Sequence, residues 1–275
     1  MSEHEDLVLR DDAESVCTLT LNRPERKNAW NPELEQRYFD RLAEADQDPA
    51  VRVIVVTGSG TTFCPGVDTQ RLTSITTAEA PRINLDGRPA MTFPLSIRKP
   101  MIAAINGSAA GVGLMQTLNC DVRFASSRAK FSTAFAKRGL PAEYGSSWIL
   151  PRLIGVENAL DLMLSSRIID AHEAKALGLV SRVLEPDEVL PAAQAYAAEM
   201  ARVCSPRSLA AIRRQVYSDL SNRLDEAWIQ AYALMADFTG REDFKEGVAS
   251  YVEKRDVHFP PLDNSFRAPG DMGYR

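Results

Sequence analysis

Phe63-Cys64-Pro65-Gly66-Val67-Asp68 and Asn106-Gly107-Ser108-Ala109-Ala110-Gly111-Val112-Gly113 are two glycine-bearing turns, and each follows an apolar run. Residues 51–57 before the first turn and Met101–Ile105 before the second read as buried strands. Glycine lets a chain turn while leaving backbone N–H groups unclaimed by regular structure. Two such N–H groups, fixed in advance, can stabilise negative charge developing on an oxygen, each by roughly 3–4 kcal/mol. No side chain is needed for that task.

Working outward, Val16–Leu21 is apolar and β-branched and predicts another strand. Asn31 is placed to cap a helix, with Pro32 at its first position and Glu33 and Glu35 in its first turn. Leu34, Tyr38 and Leu42 give that helix an apolar stripe. Residues 69–99 lack clean periodicity and contain Pro81, Pro89 and Pro94. They read as a long, partly helical connection of the kind that covers a site. Residues 122–125 and 180–184 are further strand candidates, and Asp170 with Glu173 forms a capping-box pattern opening a helix over 171–177, which Gly178 ends. Beyond Pro186, helices are expected over 187–203, 206–220, 225–238 and 242–254. The pattern predicts an α/β core over residues 1–200 and a helical C-terminal module over 201–275.

The net charge of −5 argues against a general nucleic-acid binder but leaves room for a local basic site. Residues 101–120 carry no charge and have the length of a membrane span. Asn106, Gln116, Asn119 and the glycines inside them favour a buried strand, turn and helix instead. Cys17, Cys64, Cys120 and Cys204 form no CxxC pair and read as reduced thiols. The N-terminal residues resemble no secretory or transit peptide and the C-terminal ones no peroxisomal address, so a cytoplasmic setting is expected. His4, His172 and His258 are scattered, and neither a metal cluster nor a Ser/His/Asp triad has support.

These pieces, in this order, resemble the enoyl-CoA hydratase/isomerase, or crotonase, family. Residues 22–29 (Asn-Arg-Pro-Glu-Arg-Lys-Asn-Ala), the two glycine turns, Cys120-Asp121 and residues 174–180 (Ala-Lys-Ala-Leu-Gly-Leu-Val) carry the match, which spans roughly 7 to 260. The resemblance implies an α/β spiral of ββα units with a helical C-terminal module that assembles as a homotrimer or a dimer of trimers. It implies an acyl-CoA thioester as substrate, with no separate cofactor. The oxyanion donors would be the N–H groups of Val67 and Val112, the latter opening a helix over 114–119 whose positive end, roughly +0.5 charge, adds to them. The CoA moiety would contact residues 23–29, including Arg26, Lys27 and Ala29, and the Gly66 to Asp68 turn, with Lys254 approaching from the C-terminal module.

The hydratase pattern breaks at one point. Family hydratases use two glutamates to hold water and exchange its protons. Here Met115 and Phe135 stand at those positions, beside Gly111 in the expected substrate pocket. Glu143, in Gly139-Leu140-Pro141-Ala142-Glu143-Tyr144-Gly145, matches instead the catalytic glutamate of the Δ3,Δ2-enoyl-CoA isomerases. Leu140, Pro141, Tyr144 and Trp148 surround it with apolar bulk, while Asp68 and Asp121 read as turn caps or braces. An isomerase using Glu143 is therefore expected, with a hydratase or hydrolase and a non-catalytic acyl-CoA binder as alternatives. A dinucleotide reading fails because Phe63 and Gln116 occupy the third glycine positions after Gly58-Ser59-Gly60 and Gly111-Val112-Gly113.

Overall fold

In the computed structural model, which describes residues 7–77 and 91–266, the chain opens with an antiparallel hairpin. Strand β1 (Val8–Ala13) pairs with β2 (Val16–Leu21), Val8 lying opposite Leu21. Glu14 and Ser15 make the turn at φ +51° and +61°, the left-handed pair that a two-residue hairpin requires. The sequence pattern concealed β1: its turn holds neither Gly nor Asn, and Arg10, Asp11 and Asp12 break any apolar run. Those charges suit its place at a sheet edge, where they discourage pairing with another chain.

Helix α1 (Pro32–Gln47) begins as expected, the Asn31 side chain accepting the Leu34 N–H at 2.9 Å. Three units of strand, strand and helix then follow. They are β3 (Val53–Gly58), β4 (Thr62–Cys64) and α2 (Thr69–Thr77); β5 (Met101–Ile105), β6 (Ser108–Ala110) and α3 (Val112–Leu118); and β7 (Val122–Ser126), β8 (Lys130–Ser132) and α4 (Ser146–Ile154). Helix α5 (Val156–Ser165), β9 (Ile169–Asp170), α6 (Ala171–Ala176) and β10 (Arg182–Leu184) complete the core. The long strands build a sheet in the order β1-β2-β3-β5-β7-β10, and the short ones a second sheet, β4-β6-β8-β9. Each unit thus hands the chain from the large sheet to the small one, and the glycine turns fall around the small sheet.

The inner strands of the large sheet are buried on both faces. In β3, Ile54 and Val56 face the main core with Tyr38 and Leu114, while Val53 and Val55 face Val189, Ala193 and Ala197 of α7 (Val189–Val203). Burial on both sides is why these strands read as unbroken apolar runs. The expected strand over 180–184 shortens to β10. Asp170 caps α6 by accepting the Glu173 N–H at 2.8 Å, but the Glu173 carboxylate pairs with Arg167 at 2.6 Å instead of closing the box. Much of the expected covering connection, residues 78–90, lies outside the described residues, as do the last nine residues. No helix among the described residues is long and apolar enough to cross a membrane.

Three helices follow: α8 (Pro206–Asp219), α9 (Leu224–Thr239) and α10 (Glu242–Glu253). Helix α8 is fastened to the core by Arg213. Its Nε donates to both oxygens of Asp121, at 3.0 and 2.8 Å, and its Nη groups donate to the carbonyls of Pro94, Leu95 and Ile97. Asp121 also accepts the Tyr217 hydroxyl at 2.8 Å and the Met101 N–H at 2.7 Å. Arg213 is only 8% exposed, so removing the guanidinium strands a carboxylate and several carbonyls. An Arg213→Met variant should lose about 3–5 kcal/mol of stability in denaturant unfolding. A loss under about 1 kcal/mol would show that this knot contributes little.

Candidate active site

The first turn is fixed from outside its own strand. The Trp30 N–H donates to the Gly66 carbonyl at 2.8 Å, and the Asp68 N–H donates to the Trp30 carbonyl at 2.9 Å. This short parallel bridge engages the residues on either side of Val67 and leaves the Val67 N–H out. The loop carrying Trp30 is itself shaped by Asn28, buried and left-handed at φ +61°, a conformation asparagine tolerates. Its side-chain amide donates to the carbonyls of Ser59 and Thr62, and its oxygen accepts the Arg23 N–H. Arg23 in turn donates to the Ala29 carbonyl and pairs with Asp68 at 3.2 Å. The sequence assigned residues 23–29 to ligand contact and gave no sign that Asn28 and Arg23 act as supports; an Asn set among Arg23, Arg26 and Lys27 was the available signal.

The second turn depends on Gly111, whose φ of +51° and ψ of −124° lie in a region that a Cβ atom closes. Its N–H donates to the Ser132 carbonyl at 3.0 Å. Val112 is then the first residue of α3, where an N–H has no intrahelical acceptor. Among the described residues neither the Val67 nor the Val112 N–H has a protein acceptor. The two turns meet because β4 pairs with β6 and because α3 lies directly on β4. A Cβ on Gly113 would stand 2.1 Å from the Cys64 carbonyl oxygen.

Glu143 enters from the connection between β8 and α4. It lines a pocket of about 40 Å³ that also carries Gly66, Val67, Gly111, Val112 and Phe135. The carboxyl is half-buried, and no cation pairs with it among the described residues. Burial pushes its pKa above the ordinary carboxylate value, because the charged form loses hydration without compensation. Tyr144, left-handed at φ +56°, lines the same pocket, and burial, with the nearby Glu143 and Glu35 charges, pushes its phenol up to about 12. It therefore remains a neutral donor through the physiological range. Arg138 also borders the pocket.

Other expected site residues lie elsewhere. Met115 is buried in the main core because α3 is covered on every side. Trp148 points away from Glu143 into a cavity of about 360 Å³ against α8, with the Arg152 guanidinium 4.3 Å from its ring centre. That cavity is roomier than the Glu143 pocket, yet they share no lining residue. The free N–H groups and the carboxylate, rather than volume, mark the candidate site. Asp68 is taken up by Arg23 and by the Gln70 N–H and serves as a brace. Arg26 and Lys27 are exposed on the loop beside the first turn, and Ala29 is held by its carbonyl. Lys254 caps the end of α10 and is exposed and absent from the pocket lining.

This arrangement can hold a carbonyl oxygen between two backbone donors with a single carboxylate alongside. The family model for enoyl-CoA hydratase/isomerase matches residues 11–261. A probable enoyl-CoA hydratase of Mycobacterium leprae is 35% identical over 257 residues, covering 92% of this chain and 98% of its own. A 1,2-epoxyphenylacetyl-CoA isomerase of Escherichia coli is 32% identical over 263 residues, with 92% and 98% covered. The crystal structure of a probable enoyl-CoA hydratase/isomerase of Mycobacterium abscessus superposes with a TM-score of 0.85 at 28% identity, over 93% of this chain and 99% of that one. The chain belongs to the enoyl-CoA hydratase/isomerase family and has the crotonase fold.

The contact at Gly113 gives a test with an inverted sign. In a helix interior Gly→Ala ordinarily stabilises by about 0.5–1 kcal/mol. Here the methyl group collides with a backbone oxygen, so Gly113→Ala should lower the melting temperature and weaken acyl-CoA binding. A raised melting temperature would mean that α3 can lift off β4 at no cost.

Proposed function

We propose that this enzyme moves the double bond of a 3-enoyl-CoA to the 2-position. The Glu143 carboxylate takes a proton from C2, and the electron pair passes to the thioester oxygen, held by the Val67 and Val112 N–H groups. The enolate then collapses, the double bond forms between C2 and C3, and C4 takes the proton back from Glu143. No electrons or atoms enter from outside, so the reaction calls for no cofactor beyond the CoA already in the substrate. One observation carries the reading: among the described residues, a single, unpaired, half-buried carboxylate shares its pocket with two acceptor-free N–H groups. Phe135 lines that pocket and Met115 lies in the core behind it, so neither supplies the second acid of a hydratase.

A hydratase is the second reading, favoured by the names of several relatives. In that case Glu143 alone would have to activate water. Exposed Arg26 and Lys27, beside the first turn, are the cations we assign to the CoA phosphates, and exposed Lys254 is assigned to them as well. Free thiols at Cys17, Cys64, Cys120 and Cys204 support a cytoplasmic setting.

Helices α9 and α10 leave a broad apolar surface open, with Trp228 65% and Tyr251 86% exposed alongside Ile229, Tyr232, Val248 and Val252. A surface of that kind calls for a partner, which supports a homotrimer or a dimer of trimers. Light scattering should give three or six times the mass of one chain; a monomer at micromolar concentration would rule this out.

Glu143→Gln keeps the size of the side chain and removes its basicity. Turnover of 3-enoyl-CoA should fall by ~10²–10⁴-fold with little change in acyl-CoA affinity. Because the base must enter ionised, activity should be lost as pH falls through its raised pKa. The acid limb of kcat/KM should therefore lie above the ordinary glutamate value of about 4.3. Wild-type hydration of 2-enoyl-CoA should be slow. Brisk hydration surviving Glu143→Gln would overturn the isomerase reading.

A further inference from the structure

Arg138 closes a short 3-10 turn, Ala136–Arg138, directly after Phe135. Its Nη1 makes a long contact of 3.4 Å to the Ala134 carbonyl, and both residues line the pocket that holds Glu143. No carboxylate pairs with this guanidinium among the described residues. Glu143 lines the same pocket, yet only burial acts on its carboxyl. The two charges form no ion pair with each other, and the guanidinium stands exposed to solvent. Beside it stands Tyr144, whose hydroxyl makes no hydrogen bond among the described residues. The guanidinium, exposed at the rim of this small pocket, and the Tyr144 hydroxyl are two donors that no acceptor among the described residues occupies.

The direction of the substrate indicates which acceptor. With the thioester oxygen at Val67 and Val112, C2 to C4 lie at Glu143. On that reading, an acyl chain running on beyond C4 meets Leu140, Tyr144 and Arg138, which line the same pocket as Glu143. We propose that Arg138 and Tyr144 receive a carboxylate at the far end of the acyl chain, so that the preferred substrate is the CoA thioester of a dicarboxylic acid. A guanidinium matches a carboxylate with two parallel, charge-assisted hydrogen bonds. A methyl-ended chain would instead press apolar surface against an unpaired cation and strip its water without recompense. The site thus selects by attraction and by rejection together.

This assignment rests on the reading of the pocket as the acyl site, and equilibrium binding separates the two. The wild-type protein is titrated with saturated, unreactive pairs: glutaryl-, adipoyl- and suberoyl-CoA against pentanoyl-, hexanoyl- and octanoyl-CoA. At one or more lengths the carboxylate-ended ligand should bind roughly tenfold more tightly, with the ratio shrinking as salt is added. In Arg138→Gln that ratio should fall to about one; Arg138→Lys, which keeps the charge but not the fork, should retain part of it. Equal affinities within every pair would overturn the proposal and leave the acyl-site reading standing. The same holds if Arg138→Gln weakens both members of each pair alike, which would assign the guanidinium to the CoA phosphates. Failure of every acyl-CoA to bind would overturn the acyl-site reading itself, and this proposal with it.

Discussion

The contact between α3 and β4 at Gly113 governs the arrangement of everything around the pocket. Cys64 ends the strand that leads into one turn, and Gly113 follows the Val112 that opens the helix after the other. With no side chain between them, the backbones pack closely enough that a single methyl group would overlap the Cys64 oxygen. The pairing of β4 with β6 aligns the two segments, and Trp30 holds the far side of the first turn. The separation of the Val67 and Val112 amides is thereby fixed by packing among backbones, before any ligand arrives. Donors fixed in this way need no reorganisation when charge develops.

Against that fixed frame, Glu143 is set differently. It sits on a connection between the short strand β8 and helix α4, flanked by the left-handed Tyr144 and Gly145. Its carboxyl is poised through burial, with no cation paired to it among the described residues. The same carboxyl beside Arg138 would be a weaker base, since a nearby cation stabilises the ionised form. Keeping acid and cation on one pocket but without an ion pair between them preserves the basicity of one and the binding capacity of the other.

The sequence made the inner large-sheet strands, α1 and the later helices legible because their apolar runs are long, and α1 also because Asn31 caps it. Both glycine turns could be read for a related reason: only glycine serves at Gly111 and Gly113, so the constraint is written in residue type. The small sheet could not be read, since β6, β8 and β9 are two or three residues long and no period establishes itself over that span. The edge strand β1 was hidden by its own charges. Of the expected site residues, Gly66, Val67, Gly111, Val112, Phe135 and Glu143 come together, while Asp68, Met115, Trp148 and Lys254 do not line their pocket. Resemblance gave their positions along the chain, but the direction of a side chain depends on helix rotation. Helix α3 buries all its faces and α4 turns Trp148 toward α8. Asn28 and Arg138 act through hydrogen bonds and through an unmet charge, neither of which leaves a periodic trace.

The paired turns also determine how such a protein yields to change. The Val67 and Val112 amides belong to the main chain, so no exchange of side chains can delete either one. Scanning with alanine would pass through Val67 and Val112 and leave both N–H groups in place, so the apparatus would escape notice. Replacing an amide by an ester linkage, which removes the N–H and keeps the side chain, is the chemistry that reaches it. For the same reason the valine side chains are free to vary in shape. On the proposed reading, selection can remodel the walls of the pocket while the polarising centre persists, and a single backbone device can serve many acyl groups in turn.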